Sequence, residues 1–452
     1  MTGRYFICAT ALLVFMISAR AQEEWNFDET AIPDYVIPDV LAADDGHRIS
    51  DVTQWESRRE AILDILQSEM YGRMPSRPEG LHFKVENVDP RALGGKAVRK
   101  EVKVFPTSGE SMGYTMLIYI PKGVKGPVPA FLGLNFQGNH TICDDPGISI
   151  YDTTDITVTR FGPVRERGSA SSRWPVEMIV SSGYALATVF YEDIAFDPEP
   201  YPYDPEAYPT DGVLPLGSGW GTVCAWAWGL SRAMDYLVTD PALDPDRIAV
   251  IGHSRLGKTA LWAAAMDRRF AMAVSCCSGC CGAALFRRQI GETLSVVGWF
   301  APEFFKYVGK EDRLPFDQHF LLSLIAPRPV YVTSATRDLQ ADPHGEFLSG
   351  RLASPVYALY GEKGLVTEPS SREPVPEGYV YESGYDTVRG TVCGPARDGG
   401  NLTSDALLFE GFPKADTPLQ EGNIGYHIRS GEHDMTVWDW EQIISFADKR
   451  LR

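Results

Sequence analysis

The chain has 452 residues, 44% of them apolar, and carries 60 acidic against 42 basic side chains for a formal charge of −18. That length and apolar share suffice for one large buried core, and the acidic surplus excludes nucleic acid as a natural partner. At the start of the chain, Arg4, the apolar run from Ala9 to Ile17, and Ala19-Arg20-Ala21 before Gln22 form the charged, hydrophobic and small-residue regions of a secretory leader over residues 1–21. The run is too short to span a bilayer and no other segment reads as transmembrane. The mature protein is therefore expected to be secreted or periplasmic, with no membrane partner.

Residues 22–52 are rich in Pro and Asp and read as an extended N-terminal arm. Trp55 to Tyr71 predicts a helix, because Ile62, Ile65, Leu66 and Met70 form an apolar stripe that Gly72 and Pro75 terminate. From Phe83 the pattern turns to strands: Arg99 to Phe105, Tyr114 to Ile120 and Ala130 to Asn135. The loop Asn135-Phe136-Gln137-Gly138-Asn139 after the third run is a candidate oxyanion loop by position. A helix closing over Glu177 to Ser182, a buried strand from Ala185 to Tyr191, a Pro/Tyr/Asp-rich loop over 192–219 that could wall a cleft, and a long helix from Thr222 to Val238 follow.

The chain then reaches Ile248-Ala249-Val250-Ile251, a short β-branched strand, and an Ala/Leu/Trp-rich helix from Thr259. Between them the strand must reverse within Gly252-His253-Ser254-Arg255-Leu256-Gly257, the layout of a nucleophile elbow that lifts Ser254 above the sheet edge. Strands over Phe270 to Val274 and Val330 to Ser334 continue an alternation with helices that predicts a mostly parallel, doubly wound sheet in a three-layer α/β sandwich. Four cysteines crowd Cys276-Cys277-Ser278-Gly279-Cys280-Cys281; adjacent pairs diverge and no His lies within the segment, so apolar packing or one disulfide is expected there rather than zinc. The stretch from about 366 to 408 is rich in Gly, Pro, Ser and Thr and reads as an insertion.

Asp338 lies just beyond the Val330 strand, and His433 precedes a terminal amphipathic helix with Trp440, Ile443 and Phe446 inward. Ser254, Asp338 and His433 thus follow the chain order of an α/β-hydrolase triad, in which imidazole accepts the serine proton and the carboxylate fixes its tautomer. Among the other histidines, His253 is expected to point to the wrong side of the elbow, and His319, His344 and His427 to be structural. Asp342 is the local rival for the acid, expected instead to cap the next helix.

GHSRLGK at the elbow, FDQHFLLSLIAPRPVYVTSATRDLQADPHGEF and IGYHIRSGEHDMTVWDWEQIISFADK resemble the glucuronoyl esterase family, carbohydrate esterase family 15, especially its bacterial members, over most of residues 50–450. The resemblance implies one α/β-hydrolase catalytic domain over 53–452 that cleaves uronate esters, the 4-O-methyl-glucuronoyl esters joining glucuronoxylan to lignin alcohols. It implies no cofactor and no metal, and the protein is expected to act as a monomer on a poly- or oligosaccharide ester. By motif position Ser254 would be the nucleophile, His433 the base, Arg255 the oxyanion support, and Lys258 and Glu292 sugar contacts. Two positions depart from the family. Cys277 stands where many members carry the acid, which moves that role to Asp338, and Gln340 stands where a sugar-stacking Trp is usual. These departures keep two alternatives open: a carbohydrate acetyl or feruloyl esterase with a remodelled pocket, and a non-catalytic carbohydrate-binding relative.

Overall fold

The computed structural model describes residues 25–43, 45–110, 112–150, 158–159, 162–163, 166–198, 219–367 and 411–452. The expected leader, residues 199–218 of the wall loop and nearly all of the expected insertion lie outside them. Nine strands of the described residues form one sheet: β1 (His82–Ala92), β2 (Ala97–Phe105), β3 (Tyr114–Pro121), β4 (Val128–Asn135), β5 (Ala185–Phe190), β6 (Leu243–His253), β7 (Met272–Cys276), β8 (Val330–Ala335) and β9 (Ile424–Arg429). Their order is β1-β2-β3-β5-β4-β6-β7-β8-β9. From β5 to β9 every neighbouring pair is parallel, while β1, β2, β3 and β5 pair antiparallel.

The composition of the central strands explains this arrangement. β4, β5 and β7 are apolar runs buried along their whole length, as helices on both faces require, and β8 and β9 are buried throughout as well although they carry polar residues. The strand period sorts alternate residues into two layers. Ala130, Leu132, Ile248, Val250 and Val332 join one core; Phe131, Leu186, Ala249, Ile251, Val274 and Tyr331 join the other. The first core is closed by residues of α1 (Val52–Leu66), α3 (Thr222–Leu237), α4 (Arg255–Met266), α5 (Gln318–Ser323) and α6 (Pro343–Leu359). The second is closed by α2 (Val176–Ser181) and α7 (Val437–Leu451), with Trp440, Ile443 and Phe446 facing in as expected. This is the three-layer, doubly wound sandwich the sequence predicts.

Several boundaries move. α1 begins at Val52 and ends in a π-helical turn over Gln67–Tyr71, and the strand expected over 270–274 runs from Met272 to Cys276. β1 lies in the stretch from Phe83 that reads as strand but has no expected run of its own there, and β9 has no expected run. No described helix is long and apolar enough to cross a membrane.

Candidate active site

The six parallel strands end on one side of the sheet, and the reactive side chains sit in the loops just past those ends, where an open α/β sheet leaves its crevice. The elbow comes after β6. Ser254 holds φ 57° and ψ −131°, a strained backbone for a residue with a side chain, and is pinned by its N–H donating to the Cys276 carbonyl at 2.8 Å. α4 starts at the next residue. Gly252 makes the reversal possible: a Cβ there would lie 1.9 Å from the Leu256 carbonyl oxygen.

Asp338 follows β8 and His433 follows β9. These strands are parallel neighbours in register from Val330 opposite Ile424 to Ala335 opposite Arg429, so their trailing loops meet. His433 Nδ1 lies 2.6 Å from Asp338 Oδ2, with the carboxylate buried and the imidazole side chain 40% exposed. The His433 loop is held from below by Arg429, whose Nη2 donates to the carbonyls of Glu432 at 2.7 Å and Asp434 at 2.6 Å while its Nε reaches Asp439. Asp342 does not approach the imidazole. Its side chain caps α6 by accepting from the Gly345 N–H and pairs with the buried Arg288.

The expectation for His253 is overturned. Its ring centroid lies 4.7 Å from that of His433, on the same side of the elbow. The signal was in the strand period: Ala249 and Ile251 face the layer that α7 covers, so His253, two residues on, points to that layer as well. Burial, followed by the neighbouring His433, holds its pKa well below the usual imidazole range. Cys277 lies in the turn after β7 with φ 48°, its N–H bonded to the Thr333 carbonyl and its thiol 3.8 Å from the Asp434 carbonyl. Burial and then Asp338 push that thiol well above its usual range. Each described cysteine is a free thiol, so the crowded segment packs without a disulfide, and adjacent Cys280 and Cys281 sulfurs remain 3.9 Å apart.

The residues expected on the sugar side do come together. Lys258, one turn into α4 and buried, donates to the Ser278 carbonyl at 2.6 Å and to Glu292 Oε2 at 2.8 Å. Exposed Gln340 donates to Glu292 Oε1 at 3.1 Å. Arg255 pairs with Asp197, lies 4.4 Å from the Trp299 ring centroid and 6.0 Å from that of Phe136. Asp197 is fully buried and also accepts from Trp299 Nε1 and the Tyr191 hydroxyl. Asp197, Trp299 and Tyr191 carry no motif spacing and were not singled out from the sequence. The candidate oxyanion loop stands beside the elbow, with Phe136 against His253 and Tyr191, but the Gly138 N–H is already bonded to Asn135 Oδ1.

One further carboxylate underlies the site. Glu346, fully buried on α6, accepts from the N–H groups of Ser278 and Gly279 and from the Ser334 hydroxyl. It thereby fixes the turn that carries Cys277. Burial pushes its pKa up to about 8. His319, His344 and His427 bond to the Pro38 carbonyl, to Glu29, and to Tyr331 and Asp439 respectively, which is the structural role expected of them.

Residues 215–361 match the family described as glucuronyl esterase, fungi. A protein of an unknown prokaryotic organism named carbohydrate esterase MZ0003 is 39% identical over 444 residues, covering 94% of this chain and 92% of its own. The 4-O-methyl-glucuronoyl methylesterase of Podospora anserina is 25% identical over 311 residues, 65% of this chain and 54% of that protein. Among solved structures, a promiscuous CE15 esterase from a marine bacterial metagenome superposes with TM-score 0.76 at 38% identity, covering 94% of this chain and all of that one. The glucuronoyl esterase from Solibacter usitatus superposes with TM-score 0.75 at 39% identity, with the same coverage.

Proposed function

Because the chain belongs to the glucuronoyl esterase family, carbohydrate esterase family 15, we propose that it is a serine carboxylic-ester hydrolase that cleaves uronate esters of plant cell-wall polysaccharide outside the cytoplasm. Ser254 Oγ attacks the ester carbonyl while His433 Nε2 takes its proton. Asp338 holds the Nδ1–H and stabilises the imidazolium as it forms. Negative charge that develops on the carbonyl oxygen meets Arg255, whose guanidinium Asp197 and Trp299 keep in position; one such fixed donor is worth roughly 2.7–4 kcal/mol of barrier. The imidazolium then protonates the departing alcohol, and water repeats the sequence to release the uronate. Lys258, Glu292 and Gln340 meet the hydroxyls of the uronate ring. The substrate ester is neutral and the product anionic, so the acidic surface favours release.

The observation that carries this reading is the 2.6 Å contact of His433 with Asp338 past neighbouring strand ends. It supports the catalytic reading over the non-catalytic one, since the imidazole has a carboxylate although Cys277 stands at the family's other acid position. A broader ester specificity is the second reading. It is favoured by Gln340, which offers no aromatic platform and is tied to Glu292. Assaying benzyl glucuronate beside acetylated xylan and simple acetate esters separates the two. The uronate ester is expected to be preferred, with turnover abolished in Ser254→Ala. Preference for acetate defeats the uronate assignment, and equal turnover by Ser254→Ala and the wild type defeats the enzyme.

A further inference from the structure

Three donors that the ester chemistry does not use as a set converge beside the elbow. One ligand atom each from His253, Cys277 and His433 lies within 4.8 Å of the other two. His253 is only 5% exposed, yet neither of its ring nitrogens has a hydrogen-bond partner. A buried imidazole with both nitrogens unsatisfied is an exception that asks for a cause. Its neutral form keeps a lone pair for a cation. His433 spends Nδ1 on Asp338, which leaves Nε2 as its ligand atom in the carboxylate–histidine arrangement that orients imidazole toward metals.

We propose that His253, Cys277 and His433 form a binding site for one borderline-to-soft divalent cation, with Zn²⁺ as the type, in a three-ligand set whose fourth position is left to water. Two imidazoles and a thiol select against Mg²⁺ and Ca²⁺, which demand oxygen ligands. Zinc bond lengths set tetrahedral edges of roughly 3.3–3.8 Å, so donors that lie within 4.8 Å of one another need close by no more than about 1–1.5 Å. Rotation of the exposed His433 side chain supplies that movement and the route of entry. Cys277 binds as thiolate, and its proton leaves to solvent. Burial and the nearby Asp338 carboxylate oppose that ionisation, and the cation offsets them.

Occupancy takes His433 Nε2, the atom assigned to accept the Ser254 proton, so the bound cation inhibits ester turnover. That consequence rests on the reading of His433 as the base; the binding does not.

The test is a titration of the purified, chelator-treated protein with Cd²⁺, read by thiolate-to-metal absorption, beside a calorimetric titration with Zn²⁺. The wild type is expected to saturate at one equivalent, with the absorption band lost in Cys277→Ser. Zinc affinity is expected to fall at least about tenfold in that variant and in His433→Ala, the lower end of what even an outer partner of a metal contributes. No band in the wild type, or one undiminished in Cys277→Ser, overturns the site. Should Cys277→Ser not fold, His433→Ala decides, and unchanged zinc affinity there overturns it. In the ester assay, one equivalent of zinc should stop turnover and chelation restore it. Turnover indifferent to saturating zinc overturns the inhibitory placement, whereas absence of turnover before any zinc is added defeats the ester reading and leaves the titration readable.

Discussion

His433 and Asp338 were both legible as residues, one in a loop before a terminal helix and the other beyond a strand, and the structure brings them together. Their contact carries a specific expectation. Asp338→Asn keeps the shape of the site but presents an N–H donor to Nδ1, which forces the tautomer that cannot accept from Ser254. Turnover of benzyl glucuronate should fall about 10⁴-fold, with KM nearly unchanged, in steady-state assays. A loss under tenfold rejects Asp338 as the orienting acid. What failed at this scale was direction. The face of His253 is set by the pleat of the strand that delivers it and not by its place in the elbow motif, which is why it turns toward His433. Asp197 and Trp299 were invisible for another reason: each acts on Arg255 from a distant segment, and no local spacing encodes such a meeting.

At the scale of elements, the elbow and its helix were the clearest signals in the chain, because a β-branched run, a glycine and an alanine-rich helix agree at every level. The same features make it fragile. Gly252→Ala drives a methyl into the Leu256 carbonyl, and the first turn of α4 has to shift. Stability should fall by at least about 2 kcal/mol, as large steric effects do, measured by urea unfolding followed through tryptophan fluorescence. An unchanged midpoint would mean that the elbow yields easily. The elements that went unrecognised were weakly patterned for identifiable reasons. β1 is an edge strand carrying Asp89 and Pro90, residues tolerated only where one side of the ladder is open, and much of it is exposed. β9 reads Ile-Gly-Tyr-His-Ile-Arg, whose polar residues are buried against Tyr331 and Asp439 and so do not look like core in the sequence.

Over the whole molecule, the N-terminal arm was predicted as extended chain, but its attachment was not. Glu29 reaches Arg288, which is wholly buried and also pairs with Asp342, the cap of α6, and Glu29 meets His344 on that helix as well. Burial works against ionisation of Glu29, yet Arg288 and His344 outweigh it and hold its pKa well below the ordinary 4.5. A depressed carboxylate contributes stability that is present above its unfolded value and lost as pH falls toward the folded one. Glu29→Gln should therefore cost about 1.5–3 kcal/mol at pH 7, with the gap to the wild type narrowing once the pH drops below 4.5. Paired urea titrations at pH 7 and pH 4 check this, and a gap that widens in acid refutes it. The order of the strands has one more consequence. The ends of β7 and β8 are adjacent, and the turns beyond them bring Cys277 within 4.8 Å of a ring nitrogen of His433 and Asp338 to 2.6 Å from its Nδ1. A carboxylate placed at either strand end would therefore stand near the same ring, so an acid could pass from one end to the other by a gain followed by a loss. In the laboratory the path should run backwards: Cys277→Glu added to Asp338→Asn should recover a measurable part of the missing rate, and no recovery in a folded double variant would close that evolutionary route.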